Sequence, residues 1–182
     1  LSRFARLVPF ALVLSAISSL ALADSLADMG VLAPKERMPA PDFSLPSLHG
    51  GEQRLVDLKS KVVLLHFWAT WCAPCRKEMP ELHSIWGDYR ERGLELLCVN
   101  VDRGNRKGVE SFMQDIGLHF HTLLDAEGAV RNDYEVRALP TTYIIGRDGK
   151  FIGRIVGERD WQGGAAEKLI QHLLDGDLSQ SL

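Results

Sequence analysis

The chain has 182 residues, 46% of them hydrophobic and 25% charged, with 21 basic and 24 acidic side chains and a net charge of −3. That size and balance describe one globular domain with an appendage, and exclude a disordered or collagen-like chain. No basic stripe is present to hold a nucleic-acid backbone, and the mild negative charge does not select a basic partner.

Taken in chain order, Arg3 and Arg6 precede an uncharged run from Leu7 to Ala23 that closes on Ala21-Leu22-Ala23. A basic start, an apolar middle and small residues at the end make a secretory signal. The run is 17 residues long, slightly short of the ~20 of a spanning helix. Residues 1–23 therefore read as a signal peptide or as an N-terminal membrane anchor. Without them, 19 basic residues face 24 acidic ones, a net −5. Residues 24–39 are a leader with no clear element, residues 40–176 the domain, and 177–182 a C-terminal tail.

The domain opens with a short strand, a His49-Gly50-Gly51 turn and a second strand at Gln53–Val56. "VVLLHFWA" (62–69) is a continuous apolar run of strand length, as expected of a strand covered on both faces. Met79, Leu82, Ile85, Trp86 and Tyr89 recur at helical spacing over 73–90, and Gly93 follows as a stop. "LELLCVNVD" (94–102) is a second buried strand, 107–117 a helix, 119–124 a short strand and 128–134 a brief helix. Residues 141–157 form a hairpin turning at Arg147-Asp148-Gly149-Lys150, and a last helix covers 164–174. Strands alternating with helices before a closing hairpin predict an α/β sheet of mixed direction. Sites in such sheets lie beyond the carboxyl ends of the parallel strands, which is where Cys72 falls.

The chain has three cysteines, and two of them, Cys72 and Cys75, stand in "WCAPC". Export leads to an oxidising compartment, where a cysteine pair commonly becomes a structural disulfide. A bridge between residues three apart closes almost no loop and gains little from it, so the pair reads as reactive. Only a thiolate attacks a disulfide, and a helix start favours that anion. Cys75 lies on the same helix face, within reach to resolve a mixed disulfide on Cys72. Pro74 is tolerated in a first turn, where its missing N–H would be unpaired. The alternative is half a zinc site, completed by Cys98 and histidines. Cys98 sits inside an apolar run and no second C-x-x-C exists, so redox chemistry is favoured.

"FWATWCAPC" resembles the active-site segment of the thioredoxin fold. "APDFSLPSLHG", "VVLLHFWATWCAPCRKEMPEL" and "ALPTTYIIGRDGK" are similar, in order and spacing, to the TlpA/ResA-like branch of extracytoplasmic thiol-disulfide oxidoreductases, over about residues 40–175. The resemblance implies a central mixed sheet flanked by helices, an N-terminal β-hairpin and a central insert at about 103–118. It implies Cys72 as nucleophile and Cys75 as resolving thiol, joined in the oxidised state as the redox-active disulfide. It also implies that Pro140 is cis and faces the pair, freeing the backbone of Leu139 to pair with an extended substrate.

Glu78 matches a glutamate found near the thiols in ResA-like members and can carry protons for Cys75; the alternative is a solvated charge paired with Lys77 or Arg76. His66 departs from the pattern, since thioredoxins carry an aspartate there and ResA-like proteins often an asparagine. It reads equally as a proton relay or a hydrogen-bonded core residue. Trp68 packs beneath the cysteines and Trp71 shapes a docking surface. Cys98 is core. His119 and His121 share a strand face but lack a third metal ligand. "GERDW" (157–161) resembles a segment common in the branch and has no role legible from sequence.

The resemblance implies a protein-disulfide reductase acting on exported proteins, either apocytochrome c or copper-centre proteins, and supplied with electrons by a membrane donor. It implies no cofactor, metal or nucleic acid, and membrane contact only through the N-terminal anchor. The location is the periplasm or another extracytoplasmic space, at the inner membrane if the anchor is retained. Two alternatives stand. A thiol peroxidase is suggested by "APDFSLPSLHG", but peroxiredoxins place a threonine three residues before the cysteine, and Thr70 is two before Cys72. A Cu(I) chaperone of the Sco type would have three residues between its cysteines, and here there are two.

Overall fold

The computed structural model describes residues 21–176. The expected signal or anchor over 1–23 lies outside them except for its last three residues, and the expected tail at 177–182 lies outside altogether. Among the described residues no helix is long and apolar enough to cross a membrane.

A five-stranded sheet forms the centre, in the order β5-β4-β3-β6-β7. Its strands are β3 (Val62–Trp68), β4 (Leu94–Asn100), β5 (His121–Leu124), β6 (Thr141–Ile145) and β7 (Phe151–Val156). β3 runs parallel to β4, and β4 to β5, while β6 is antiparallel to both β3 and β7. Every residue of β3 and β4 is buried, which is why both read as mostly apolar stretches rather than alternating ones, with His66, Glu95 and Asn100 as buried polar exceptions. Helices α2 (Ala73–Tyr89), α3 (Arg106–Ile116), α4 (Ala129–Asp133) and α5 (Gly164–Asp175) flank the sheet. This is the thioredoxin fold. The stretch expected as the insert forms α3, and the strand that follows it, β5, becomes an edge of the sheet. α3 stops at Gly117, whose φ of 63° is the left-handed value glycine adopts without penalty.

The N-terminal hairpin pairs β1 (Ser44–Pro46) with β2 (Glu52–Arg54). The second strand is shorter than the expected Gln53–Val56. Leu55–Leu58 instead coil into a 3-10 turn that buries Leu55 and Leu58, and the Val56 N–H donates to Asp42 Oδ1 at 3.0 Å. Burial of two leucines and a side-chain acceptor for the freed amide outweigh one more rung of a two-stranded ladder.

Residues 24–39, which carried no element in the sequence reading, are ordered against the domain. α1 (residues 21–28) and the turn after it bury Leu22, Leu26 and Met29 in the core. Ser25 Oγ lies 2.5 Å from His172 Nδ1 on α5. The chain then follows β7: the Leu32 and Arg154 amides exchange bonds of 2.8 and 3.1 Å, and the Phe151 N–H donates to Met38 O at 2.9 Å. Gly153 permits this approach, since a Cβ there would stand 2.4 Å from Val31 Cγ1. At the opposite edge the Leu48 N–H donates to Thr122 O on β5 at 2.8 Å. Both sheet edges thus have covering backbone, which blocks pairing with another chain.

Candidate active site

β3 ends at Trp68, and the chain turns into α2 through Ala69, Thr70 and Trp71. A polar clasp from the end of β4 holds this turn. The Thr70 N–H and Asn100 Nδ2 each donate to Asp102 Oδ2 at 2.9 Å, and the Asp102 N–H returns a bond to Asn100 Oδ1 at 3.1 Å. Both side chains are buried, so each bond replaces lost hydration and removing one leaves an orphan. Sequence reasoning missed this pair. The available signal was Asn100 and Asp102 themselves, two polar residues closing an otherwise apolar strand.

Cys72 is the N-cap of α2, and its Sγ is bonded to that of Cys75, with the Cα atoms 5.3 Å apart. The Cys75 N–H points back at Cys72 Sγ, 3.3 Å away. An amide aimed at the sulfur, on the positive end of a 17-residue helix, favours a thiolate at Cys72 once the bridge is reduced. The helix start does not leave Cys72 exposed. Cys72 is only 5% accessible and Cys75 is fully buried, while Trp71, at 69%, stands out beside them.

The Leu139–Pro140 peptide is cis. Phe67 pairs with Thr141 in the register of β3 and β6, so Pro140 lies alongside the end of β3 where the chain turns toward Cys72. Pro140 O accepts the Gly157 N–H at 2.9 Å. Leu139 is half-buried.

Behind the disulfide sits a buried polar cluster. Glu78, one turn beyond Cys75, is 1% accessible and is not the solvated charge that was the alternative reading; Lys77 pairs with Glu158 instead. Glu78 Oε2 accepts the Arg159 N–H at 3.0 Å and the Trp161 Nε1–H at 3.4 Å. Its Oε1 has no hydrogen-bond partner and lies 3.6 Å from His66 Nδ1. Burial pushes the Glu78 carboxyl up to about 7, against the opposing pull of the Arg159 and Trp161 bonds. His66 is completely buried, with Nδ1 2.9 Å from Thr142 Oγ1 and no partner for Nε2. Burial lowers it to about 3, so it is neutral at physiological pH. Cys98 lies opposite His66 in the β3–β4 register; burial first, and then the Glu78 charge, raise its thiol well above the usual range. It is a buried free thiol, as expected of a core residue.

The segment "GERDW" now has a structural place. Gly157 is tied to Pro140, Arg159 and Trp161 to Glu78, and the Trp161 N–H to Glu81 Oε2 at 2.9 Å. Trp68 is fully buried, its ring 5.4 Å from that of Phe112. His119 and His121 do not share a strand face, because β5 begins only at His121. Among the described residues no three His, Cys, Asp or Glu side chains gather where they could hold a metal ion.

Residues 37–152 match the AhpC/TSA family. Over 134 residues the chain is 38% identical to the thiol-disulfide oxidoreductase ResA of Bacillus anthracis, covering 71% of this chain and 77% of that protein. It is 41% identical over 134 residues to the ResA of Geobacillus thermodenitrificans, covering 74% of each. The chain belongs to the AhpC/TSA family and to the ResA-like thiol-disulfide oxidoreductases. Solved structures agree. A Chlorobium tepidum protein provisionally assigned as thiol:disulfide interchange protein DsbE superposes with a TM-score of 0.71 at 32% identity, over 77% of this chain and 98% of that one. StoA of Bacillus subtilis superposes with a TM-score of 0.60 at 26% identity, over 68% and 92%. In this ResA-like enzyme the Cys72–Cys75 pair is the redox-active centre. Family membership supports a place of action outside the cytoplasm.

Proposed function

We propose that this enzyme reduces disulfides of exported proteins. The observation that carries the reading is the Cys72–Cys75 pair at the start of α2, just past β3, whose Phe67 pairs with Thr141 directly after the cis Leu139–Pro140 peptide. In the reduced enzyme the Cys72 thiolate attacks one sulfur of a substrate disulfide. A mixed disulfide forms, and the first substrate sulfur leaves and takes up a proton. The Cys75 thiol loses its proton and attacks Cys72 Sγ, which closes the enzyme disulfide and releases the second substrate sulfur. Two electrons pass from enzyme to substrate, so a donor must reduce the pair again, and in an oxidising compartment that donor is a membrane protein. The substrates are apocytochrome c or copper-centre proteins, met in the periplasm, with residues 1–23 as signal or inner-membrane anchor.

The surrounding residues take the following roles. The backbone of Leu139, before Pro140, pairs with the extended substrate, and exposed Trp71 supplies apolar contact area for it. Glu78 exchanges the proton of Cys75: it shares a buried helix face with that thiol, and its affinity near neutrality suits it to both directions of transfer. His66, neutral and facing the free oxygen of Glu78, shapes that exchange as a neighbour without carrying charge.

Replacing Cys75 by Ala tests the reading. With no resolving thiol, Cys72 should accumulate mixed disulfides with its substrates in the exported compartment. Capture of cytochrome c precursors or copper-site proteins names the pathway; capture of nothing, with Cys72 still alkylatable, overturns it. A reduction potential near about −120 mV, that of a strong oxidant, would overturn the direction. The AhpC/TSA match over residues 37–152 favours one second reading, a thiol peroxidase. Failure of the reduced protein to consume hydrogen peroxide disposes of it.

A further inference from the structure

Residues 157–161 form a strap between two parts of the site that are far apart in sequence. At one end the Gly157 N–H bonds Pro140 O at 2.9 Å, on the loop whose neighbouring residue is proposed to receive substrate. At the other end, Glu78 Oε2 accepts from the Arg159 amide and the Trp161 indole, and Glu81 Oε2 holds the Trp161 amide. Between these ends the Arg159 guanidinium turns away from the carboxylate, donating to Met29 O at 3.1 Å and Glu158 O at 2.7 Å. Trp161 is 1% accessible, so its indole N–H has no water to fall back on, and Glu78 Oε2 is its one acceptor.

We infer that Trp161 is a positioning residue for thiol-disulfide exchange: its indole N–H holds the Glu78 carboxylate with one oxygen on the strap and the other turned to His66, and the strap joins that carboxylate to the Pro140 loop. This rests on the proposed role of Glu78 in proton exchange with Cys75. Burial raises the carboxyl; the Arg159 amide bond first and the longer indole bond second are made to its charged form, so together they oppose burial and keep Glu78 able to release a proton near neutral pH. Glu81 on the same helix and Glu158 on the strap raise its affinity, Glu158 being paired with Lys77; His66 on β3 is neutral; Cys98 on β4 is a protonated thiol; Cys75 is the group served. The strap meets the Pro140 loop at the Gly157 N–H, so the backbone proposed to receive substrate is one hydrogen bond away from the segment carrying the donors to Glu78.

The test uses the reduced full-length protein and follows the rate of alkylation of its active-site thiols by iodoacetamide against pH. Trp161→Phe keeps the ring and removes the donor. The Glu78-linked inflection should move upward by about half to one pH unit, as expected for loss of a hydrogen bond to a carboxylate. In a Glu78→Gln background the same change should leave the profile unmoved. An unshifted inflection in Trp161→Phe, or an equal shift in the Glu78→Gln background, overturns the inference while leaving Glu78 its role. A Glu78→Gln profile identical to wild type overturns both. Wild-type protein supplies a measurement free of any folding defect: the Trp161 indole 15N–1H resonance should titrate with the midpoint of the Glu78 side-chain carboxyl carbon, and a resonance flat across that midpoint overturns the inference.

Discussion

Glu78 Oε1 lies 3.6 Å from His66 Nδ1 with both side chains out of solvent, and burial drives their proton affinities in opposite senses, up to about 7 for the acid and down to about 3 for the base. The usual order of a carboxyl and an imidazole is inverted, so near neutrality the contact is no ion pair. The carboxyl carries the exchangeable proton, and the imidazole is its neutral neighbour.

Glu78 makes stability fall as pH rises. Its folded value lies above the unfolded 4.5, so the contribution is fully present below 4.5 and is lost as pH climbs through about 7. Glu78→Gln, which cannot ionise, should be more stable than wild type in urea at pH 8.5, by about 1–3 kcal/mol. Less than half of that gain should remain at pH 5. A gain independent of pH would show that packing, and not ionisation, sets the effect.

His66 acts in the opposite direction. Its folded value is below the unfolded 6.5, so the folded state resists protonation and stability declines as pH falls from 6.5 toward 3. His66→Asn should lose about 3 kcal/mol less than wild type between pH 7 and pH 4. NMR of the folded protein supplies a second check: the His66 ring nitrogens should keep the 15N shifts of a neutral imidazole between pH 5 and 8, moving only by the smaller amount that ionisation of neighbouring Glu78 imposes.

Asp102 gathers the Thr70 amide and the Asn100 side chain, and so holds the turn that delivers Cys72 to the helix start. Asp102→Ala orphans one buried donor, on Asn100, and one part-buried donor, on Thr70, and should cost about 1–3 kcal/mol in equilibrium unfolding. Alkylation of the reduced pair should also slow, because the Cys72 sulfur is no longer held against the Cys75 amide. Full stability with slowed alkylation, or the reverse, would separate the two effects and break the proposed link.

Much of the architecture was legible because it depends on local pattern. The mostly apolar stretches at 62–69 and 94–102 are what strands covered on both faces require, and both are buried throughout. The Asp148-Gly149 turn and the helical spacing after Cys75 are likewise local signals. The ordering of residues 24–39 was not legible. Leu22, Leu26 and Met29 fit a core whose other wall lies more than a hundred residues away, on β7 and α5, and their helical spacing begins inside the apolar run assigned to 1–23, so 24–39 by itself does not announce it.

The site divides in the same way. By itself the sequence determined that two cysteines three apart stand at a strand-to-helix junction, that such a pair is reactive, and that Glu78 shares the helix face of Cys75. These are matters of chain chemistry and helical spacing. Only the tertiary structure decided that Cys72 is covered, that His66, Cys98 and Thr142 lie across three adjacent strands, and that residues 157–161 supply the donors to Glu78. Strand register and strap placement come from burying whole faces at once, and a carboxyl acquires a proton affinity near 7 only when distant segments remove the water around it.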